Sequence, residues 1–472
     1  MPSTALSTKP SINALLSTYQ WGTQNNQSAS VTYSFPTSDA LWLPGYAEPE
    51  AGWFELTATQ QADFKSAVSA WAEVANIRFA QVTENQSVVG GIRVAFSNEV
   101  AQQNAAGWAY SPVSKLSPQA GDIWLNPEDT EYSQGTRGYF TLIHELGHAL
   151  GLKHPFEEVE GNPAVLTGAE ESNQYSIMSY NGYQGAGFVY QPLGGGQFSF
   201  FPVPPATPLL YDIAAMQFLY GANISTRTGN DTYTFSNTQG ELKSIWDAGG
   251  VDTFDLSNQA LAQTINLNAG QFSSLGVKQT SVDGILSAAT ANIAIAYNAG
   301  IENAIGGAGN DTVMGNGLNN FLAGDAGNDT INGGLGSDKL VGGVGNDHLK
   351  GSLGNDKLIG NAGADVLIGG AGNDLFLFNN TSALDTVSDF SVKFDTFQLE
   401  NAVFTSLAST GVLDAGQFTF GSSATDSNDF LVYNQSSGAL YYDADGNGTI
   451  AGTQIAKLGI NLALTNADFI VV

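Results

Sequence analysis

Between residue 10 and about residue 223, apolar positions switch between helical and strand spacing, so this stretch reads as mixed α and β. Phe64, Ala67, Val68, Trp71 and Val74 recur at helical intervals and form one stripe, and Thr57 with Gln60 ahead of them has the spacing of a capping box. IRFAQV (77–82), GIRVAF (91–96) and DIWLN (122–126) are short strand-like runs. LLYDIAAMQFLYGAN (209–223) predicts a last amphipathic helix that ends near Gly221.

From Ile305 the period becomes nine. Eight consecutive nonads run without insertion from Gly306 to Leu377, beginning GGAGNDTVM and ending GGAGNDLFL. Glycine opens every unit, and aspartate holds the sixth place except in the second unit, where Asn320 stands. The eighth place is always apolar: Val313, Leu322, Ile331, Leu340, Leu349, Leu358, Leu367, Phe376. This predicts three-residue strands whose eighth side chain faces inward and stacks on its equivalents. Glycines at the first, second and fourth places permit positive φ and tight turns. Backbone carbonyls and the sixth-place carboxylate are then free to face a hard cation, and oxygen-only ligands suit calcium. Candidate ligands are Asp311, Asp325, Asp329, Asp338, Asp347, Asp356, Asp365 and Asp374, with Gly307, Gly309, Gly334, Gly336, Gly343 and Gly345. No coil can stand alone and uncompensated aspartates repel, so calcium is expected to be part of this fold. His348, at a seventh place, is expected to face solvent.

Charge sharpens the picture. Fifteen Lys and Arg stand against 44 Asp and Glu, a net charge of −29, which argues against nucleic acid or anionic membrane as partners. Two explanations stand: a solvated acidic surface, or carboxylates neutralised by bound cations. At 472 residues two or three domains are expected. There is no cysteine, so stability must come from burial or metal ions. The opening MPSTALSTKPSINALL lacks the pattern of a cleaved secretory signal, and no apolar run approaches the roughly 18 residues that cross a bilayer. TGNDTYTF (228–235) and WDAGGVDTFDL (246–256) resemble outlying turns of the repeat chemistry, which makes Asp231, Asp247, Asp252 and Asp255 further calcium candidates. In GALYYDADGNGTI (438–450), Asp443, Asp445 and Asn447 have the spacing that begins an EF-hand loop, but Gln454 replaces the closing glutamate. A hairpin turn and an added calcium site both remain open there.

Three of the four histidines fall within HELGHALGLKH (144–154). On a helix, His144 and His148 project from one face, a spacing that suits tetrahedral zinc. Glu145, one step round, can reach a water on the metal but not ligate beside them. Gly151 can end the helix in a left-handed cap, returning the chain so that His154 supplies a third nitrogen, and Pro155 prevents helical continuation. Three neutral ligands and one open position describe a catalytic site. A bare HExxH arises often by chance, and the two added fixed places distinguish this one.

SIMSY (176–180) follows the third histidine, and the long zinc motif with a later methionine turn resembles the metzincin metalloproteases. Together with the linker helix, the WDAGG segment and the repeats-in-toxin (RTX) nonads, it resembles the serralysins, over about Leu15 to Leu377. The resemblance implies an α+β metzincin catalytic domain followed by an all-β parallel β-roll or β-sandwich domain. Its implied boundaries are a short pro-segment at 1–10, a protease domain at 11–225, and an RTX domain at 226–472 with a β cap and secretion signal. It implies one catalytic Zn2+ and several structural Ca2+, with Glu145 as general base and acid. Met178 becomes an apolar floor below the ligands, and Tyr180 a resting zinc ligand that swings to the oxyanion. AGWAYSP (106–112) resembles the strand that pairs with substrate, which places Gly107, Trp108, Ala109 and Tyr110 in substrate binding. Expected partners are protein or peptide substrates and a type I export machine reading the tail ADFIVV (467–472); a final buried strand would look the same. A secreted, extracellular monomer with no membrane insertion is implied. An inactive RTX surface-binding or structural protein and a narrow processing protease are the alternatives. The chain departs from the family after His154, where PFEEVEGNPAVL replaces the usual glycine-aspartate-tyrosine, and in its terminal hundred residues.

Overall fold

The computed structural model describes residues 6–85, 87–112, 119–194 and 197–472, so the first half of the expected pro-segment lies outside the described residues. The chain forms two compact units. One comprises Met1–Thr228, Gln239–Gly250 and Val277–Ala299; the other comprises Gly229–Thr238, Val251–Gly276 and Gly300–Val472.

The first unit is α+β. Its strands are β1 (Ala29–Ser34), β2 (Trp53–Phe54), β3 (Ile77–Gln81), β4 (Ile92–Ser97), β5 (Gly107–Ala109) and β6 (Ile123–Leu125). They lie in the order β3-β1-β4-β6-β5, with β2 pairing antiparallel to β4. The sheet is otherwise parallel until its edge, where β5 runs antiparallel to β6. Helix α1 (Ala58–Val74) starts at Thr57 with the expected capping box, and Phe64, Ala67, Val68, Trp71 and Val74 are its buried face. Trp71 Nε1 donates to Ile143 O at 3.1 Å, which fastens α1 to α2 (Arg137–Ala149). Helix α3 (Leu210–Tyr220) ends at Gly221, whose φ is +79°. It is not the amphipathic element expected: nine of its eleven residues are buried, Asp212 among them. A helix buried almost all round belongs inside a core.

The second unit is a parallel β-roll. Alternate nonads stack at a separation of eighteen residues, so Leu322 pairs with Leu340, Leu340 with Leu358 and Leu358 with Phe376, while Ile331 pairs with Leu349 and Leu349 with Leu367. These apolar side chains are fully buried between two sheets. Most roll strands span six residues, as in Lys339–Val344 and His348–Leu353, rather than the three predicted. Parallel pairing continues past the inward leucine, through Asp325 opposite Gly343 and Ala326 opposite Val344.

The glycine argument also needs correction. Positive φ falls at second and fourth places, such as Gly334, Gly336, Gly343 and Gly345, while first-place glycines do not need it. They are required for space: a Cβ on Gly333 would lie 2.3 Å from Asp338 Oδ2, and one on Gly342 equally close to Asp347 Oδ2. The tail ends as Phe469–Val471, a buried strand parallel to Thr396–Leu399. Among the described residues no helix is long and apolar enough to cross a membrane.

Candidate metal centre

Helix α2 begins at Thr136, whose side chain accepts from Tyr139 N, and ends where Gly151 adopts φ +109°. A Cβ at Gly151 would strike Tyr19 O at 2.3 Å, so both conformation and space demand glycine. The reversal returns His154 to the rings of His144 and His148. His154 Nε2 lies 3.3 Å from His144 Nε2 and 3.0 Å from His148 Nε2.

The opposite ring nitrogens explain how three like atoms come to converge. His144 Nδ1 donates to Ile177 O at 2.7 Å, and His148 Nδ1 donates to Leu152 O at 3.0 Å. Carbonyl oxygens only accept, so both rings carry the proton on Nδ1 and a lone pair on Nε2. His154 Nδ1 faces Glu157 Oε1 at 2.7 Å. Burial pushes His144 down to about 4 and His148 well below the usual imidazole range, with the neighbouring rings adding to it. Neutral imidazoles with convergent lone pairs are a donor set for a borderline cation such as zinc, and this is the observation by which the residues fit one.

A polar support lies behind the ligands. Asp212, on α3, accepts from Ser176 Oγ (2.6 Å), Ile177 N (2.7 Å) and Leu209 N (2.9 Å). Ile177, held at its N–H, is the residue whose carbonyl orients His144. Met178 is fully buried, and a Cβ at Gly147 would approach its Sδ to 2.7 Å, so the methionine fills the space left by the glycine between His144 and His148. Sequence reasoning singled out Met178 but not Asp212 or Glu157. An acidic residue three places after His154 was a visible signal for Glu157; Asp212 had none beyond being a lone charge in an apolar run.

Glu145 is buried, and burial raises its carboxyl to about 8; among the described residues its Oε2 has no hydrogen-bond partner. Tyr180 is 68% exposed as a whole but brings its hydroxyl to 2.7 Å from His154 Nε2, and partial desolvation there, with Glu145 and Glu157 nearby, raises it to about 12. The edge strand β5 passes Glu145 closely: a Cβ on Gly107 would meet Glu145 Cγ at 3.3 Å. Trp108 Nε1 and Tyr110 Oη both donate to the buried carboxylate of Glu48, at 2.8 and 2.6 Å. The predicted substrate-binding residues are thus anchored from behind by a residue the sequence did not point to. Beside Glu145 opens a cavity of about 760 Å3, lined by Phe140, Tyr180, Phe201 and Val203 among others.

In the roll, each sixth-place aspartate from Asp329 to Asp374 is buried with the same arrangement. One oxygen accepts a backbone N–H from an earlier coil, as Asp347 Oδ1 does from Asp329 N at 2.8 Å, and the other has no partner among the described residues. Burial raises Asp329, Asp338, Asp356 and Asp374 to about 6 and Asp347 to about 7. Asp311 departs from this pattern, since Gln263 N and Gly307 N satisfy its two oxygens. Asp325 is exposed at φ +75°, and His348 is exposed as expected. Asp252 is fully buried and accepts from Asp231 N at 2.7 Å. Asp247, in the first unit, accepts from Gly249 N at 2.9 Å, and Asp255 accepts from Ser257 N at 3.0 Å.

Comparison with known proteins agrees with this architecture. Residues 54–160 match the family described as matrixin, and residues 211–471 match the peptidase M10 serralysin C-terminal family. The chain is 34% identical over 330 residues to the serralysin of Proteus mirabilis, covering 63% of this chain and 61% of that protein. It is 37% identical over 312 residues to serralysin C of Dickeya chrysanthemi (61% and 59%), and 35% identical over 314 residues to the metalloprotease AprA of Pseudomonas entomophila strain L48 (62% and 60%). The matches span about three-fifths of the length of these curated relatives. With its C-terminal match covering more than half its length, the chain belongs to the serralysin family of M10 metzincins.

Proposed function

We propose that this chain is a secreted, zinc-dependent endopeptidase that folds with calcium. The observation that carries the reading is the convergence of three imidazole Nε2 atoms beside the buried Glu145 at the mouth of a cavity. His144, His148 and His154 would hold zinc, which would supply Lewis acidity toward water and the peptide carbonyl.

The residues of the chain do the rest. Glu145 takes a proton from water and delivers it to the leaving amine, a role open to a buried carboxylate beside the three histidines. Tyr180 leaves His154 and donates its hydroxyl to the carbonyl oxygen as negative charge grows there; one such donor is worth about 3–4 kcal/mol. Strand β5 offers an unpaired edge, so an extended peptide adds to it antiparallel, which gives affinity without strong sequence selectivity. In the roll, the partnerless oxygens of Asp329, Asp338, Asp347, Asp356, Asp365 and Asp374 support calcium binding between coils. The surplus of carboxylates, the lack of cysteine and the repeats together support an extracellular site of action and export by a type I machine.

Casein hydrolysis tests the reading. Phenanthroline should abolish it and zinc restore it; cleavage that persists in metal-free protein would overturn it.

A further inference from the structure

A second signal stands outside the repeats, in the loop 443–452 that joins the strands Ala439–Tyr442 and Thr453–Lys457. Asp443 is 4% exposed, and its Oδ1 is sealed from solvent without a hydrogen-bond partner among the described residues. Asp445 Oδ1 is in the same state. The Asp443 carboxylate takes the backbone N–H groups of Asp445 and Gly446 and lies within hydrogen-bond reach of the Asp445 carboxylate, and among the described residues neither side chain joins an ion pair. Two facing carboxylates without a counter-charge are costly to bury, so a cation or a shared proton must offset them.

The loop is built around these oxygens. A Cβ on Gly448 would fall 2.0 Å from Asp445 Oδ2, and one on Gly452 would fall 3.3 Å from Asp443 Oδ2. Ile450 N donates to Asp445 Oδ2 at 3.2 Å. Asn447 N donates to Asp426 O at 2.9 Å, holding the loop against 425–429. Nearby Asp429 does not share the signal: its Oδ2 takes Thr425 N, Thr425 Oγ1 and Asp426 N. A cavity of about 350 Å3 opens beside Asp443, lined by Tyr441, Gly446, Asn447 and Thr449 among others. It leaves room for water and loop carbonyls to complete a six- to eight-oxygen shell. A partnerless buried carboxylate oxygen also marks the roll aspartates, where the glycine presses on that oxygen itself; in this loop the glycines press on the neighbouring Oδ2.

We propose that Asp443 and Asp445 hold a calcium ion in the C-terminal cap, separate from those of the repeats. The ion pins the loop 443–452 beside the paired strands Leu431–Asn434 and Ala439–Tyr442. This site is independent of the catalytic reading.

The test counts calcium on the full chain. Wild type and Asp443→Asn/Asp445→Asn are dialysed to equilibrium against millimolar calcium, and bound metal is measured by atomic emission. The variant should hold one calcium fewer per chain, with unchanged circular dichroism. It should also lose the tyrosine-sensitised terbium luminescence contributed by Tyr441 and Tyr442. Equal calcium counts would overturn the proposal. If the double variant does not fold, anomalous scattering from wild-type crystals grown in calcium decides: a peak between the two carboxylates supports the site, and its absence refutes it.

Discussion

Replacing Asp212 separates the ligands from what holds them. In Asp212→Ala, two fully buried backbone donors, Ile177 N and Leu209 N, and the Ser176 hydroxyl all lose their acceptor. Each orphaned buried N–H costs about 1–3 kcal/mol, giving roughly 2–6 kcal/mol for the pair. Part is recovered because a desolvated carboxylate is removed, so the expected net loss is about 2–4 kcal/mol. Asp212→Asn keeps one oxygen for the two N–H groups and turns its amide toward Ser176 Oγ, which can accept; its loss should be about 1 kcal/mol. The effect should also travel. Ile177 is the acceptor that fixes the His144 ring, so Asp212→Ala should weaken zinc binding as well as stability. Urea unfolding followed by tryptophan fluorescence, paired with zinc titration against a chromogenic chelator, measures both. An alanine variant within 0.5 kcal/mol of wild type, with unchanged zinc affinity, would refute the support role.

Three other outcomes are expected. Glu157→Gln should lower zinc affinity about tenfold, because His154 Nδ1 loses a charged acceptor; competition with a calibrated chelator reads this directly. Asp122, buried beside Tyr46 and Arg93, is raised to about 7 chiefly by burial, against about 3.9 unfolded, so it costs the fold increasingly as pH climbs between those values. Asp122→Asn should therefore gain stability relative to wild type from pH 5 to pH 8, seen in urea midpoints; a parallel or opposite trend contradicts the sign. Gly351→Ala would place a methyl 2.3 Å from Asp356 Oδ2 and 2.6 Å from Gly369 O, so it should destabilise the roll by at least about 1 kcal/mol where an unobstructed Gly→Ala change stabilises, as calcium-dependent denaturation will show.

What could be read along the chain was whatever a single element encodes. His144 and His148 share a helical face, Gly151 turns the chain, and the nonads repeat, all within short windows. What could not be read depends on segments meeting in space. Ile177, Asp212 and Glu48 act through side chains or carbonyls that arrive from elsewhere in the first unit. The apolar spacing of Leu210–Tyr220 is compatible with an amphipathic helix, and only packing shows that nearly every side is covered. In the roll, inward leucines were evident from spacing, while the six-residue strands and the steric need for first-place glycine emerge only once coils stack eighteen residues apart.

The most direct measurement is made on one preparation of Glu145→Gln, assayed together for zinc by atomic emission and for casein turnover. One zinc per chain with turnover reduced by at least a thousandfold, on the order expected for loss of proton transfer, is the predicted result. Turnover near that of wild type, or a preparation of either protein that hydrolyses casein with no metal bound, would contradict the account.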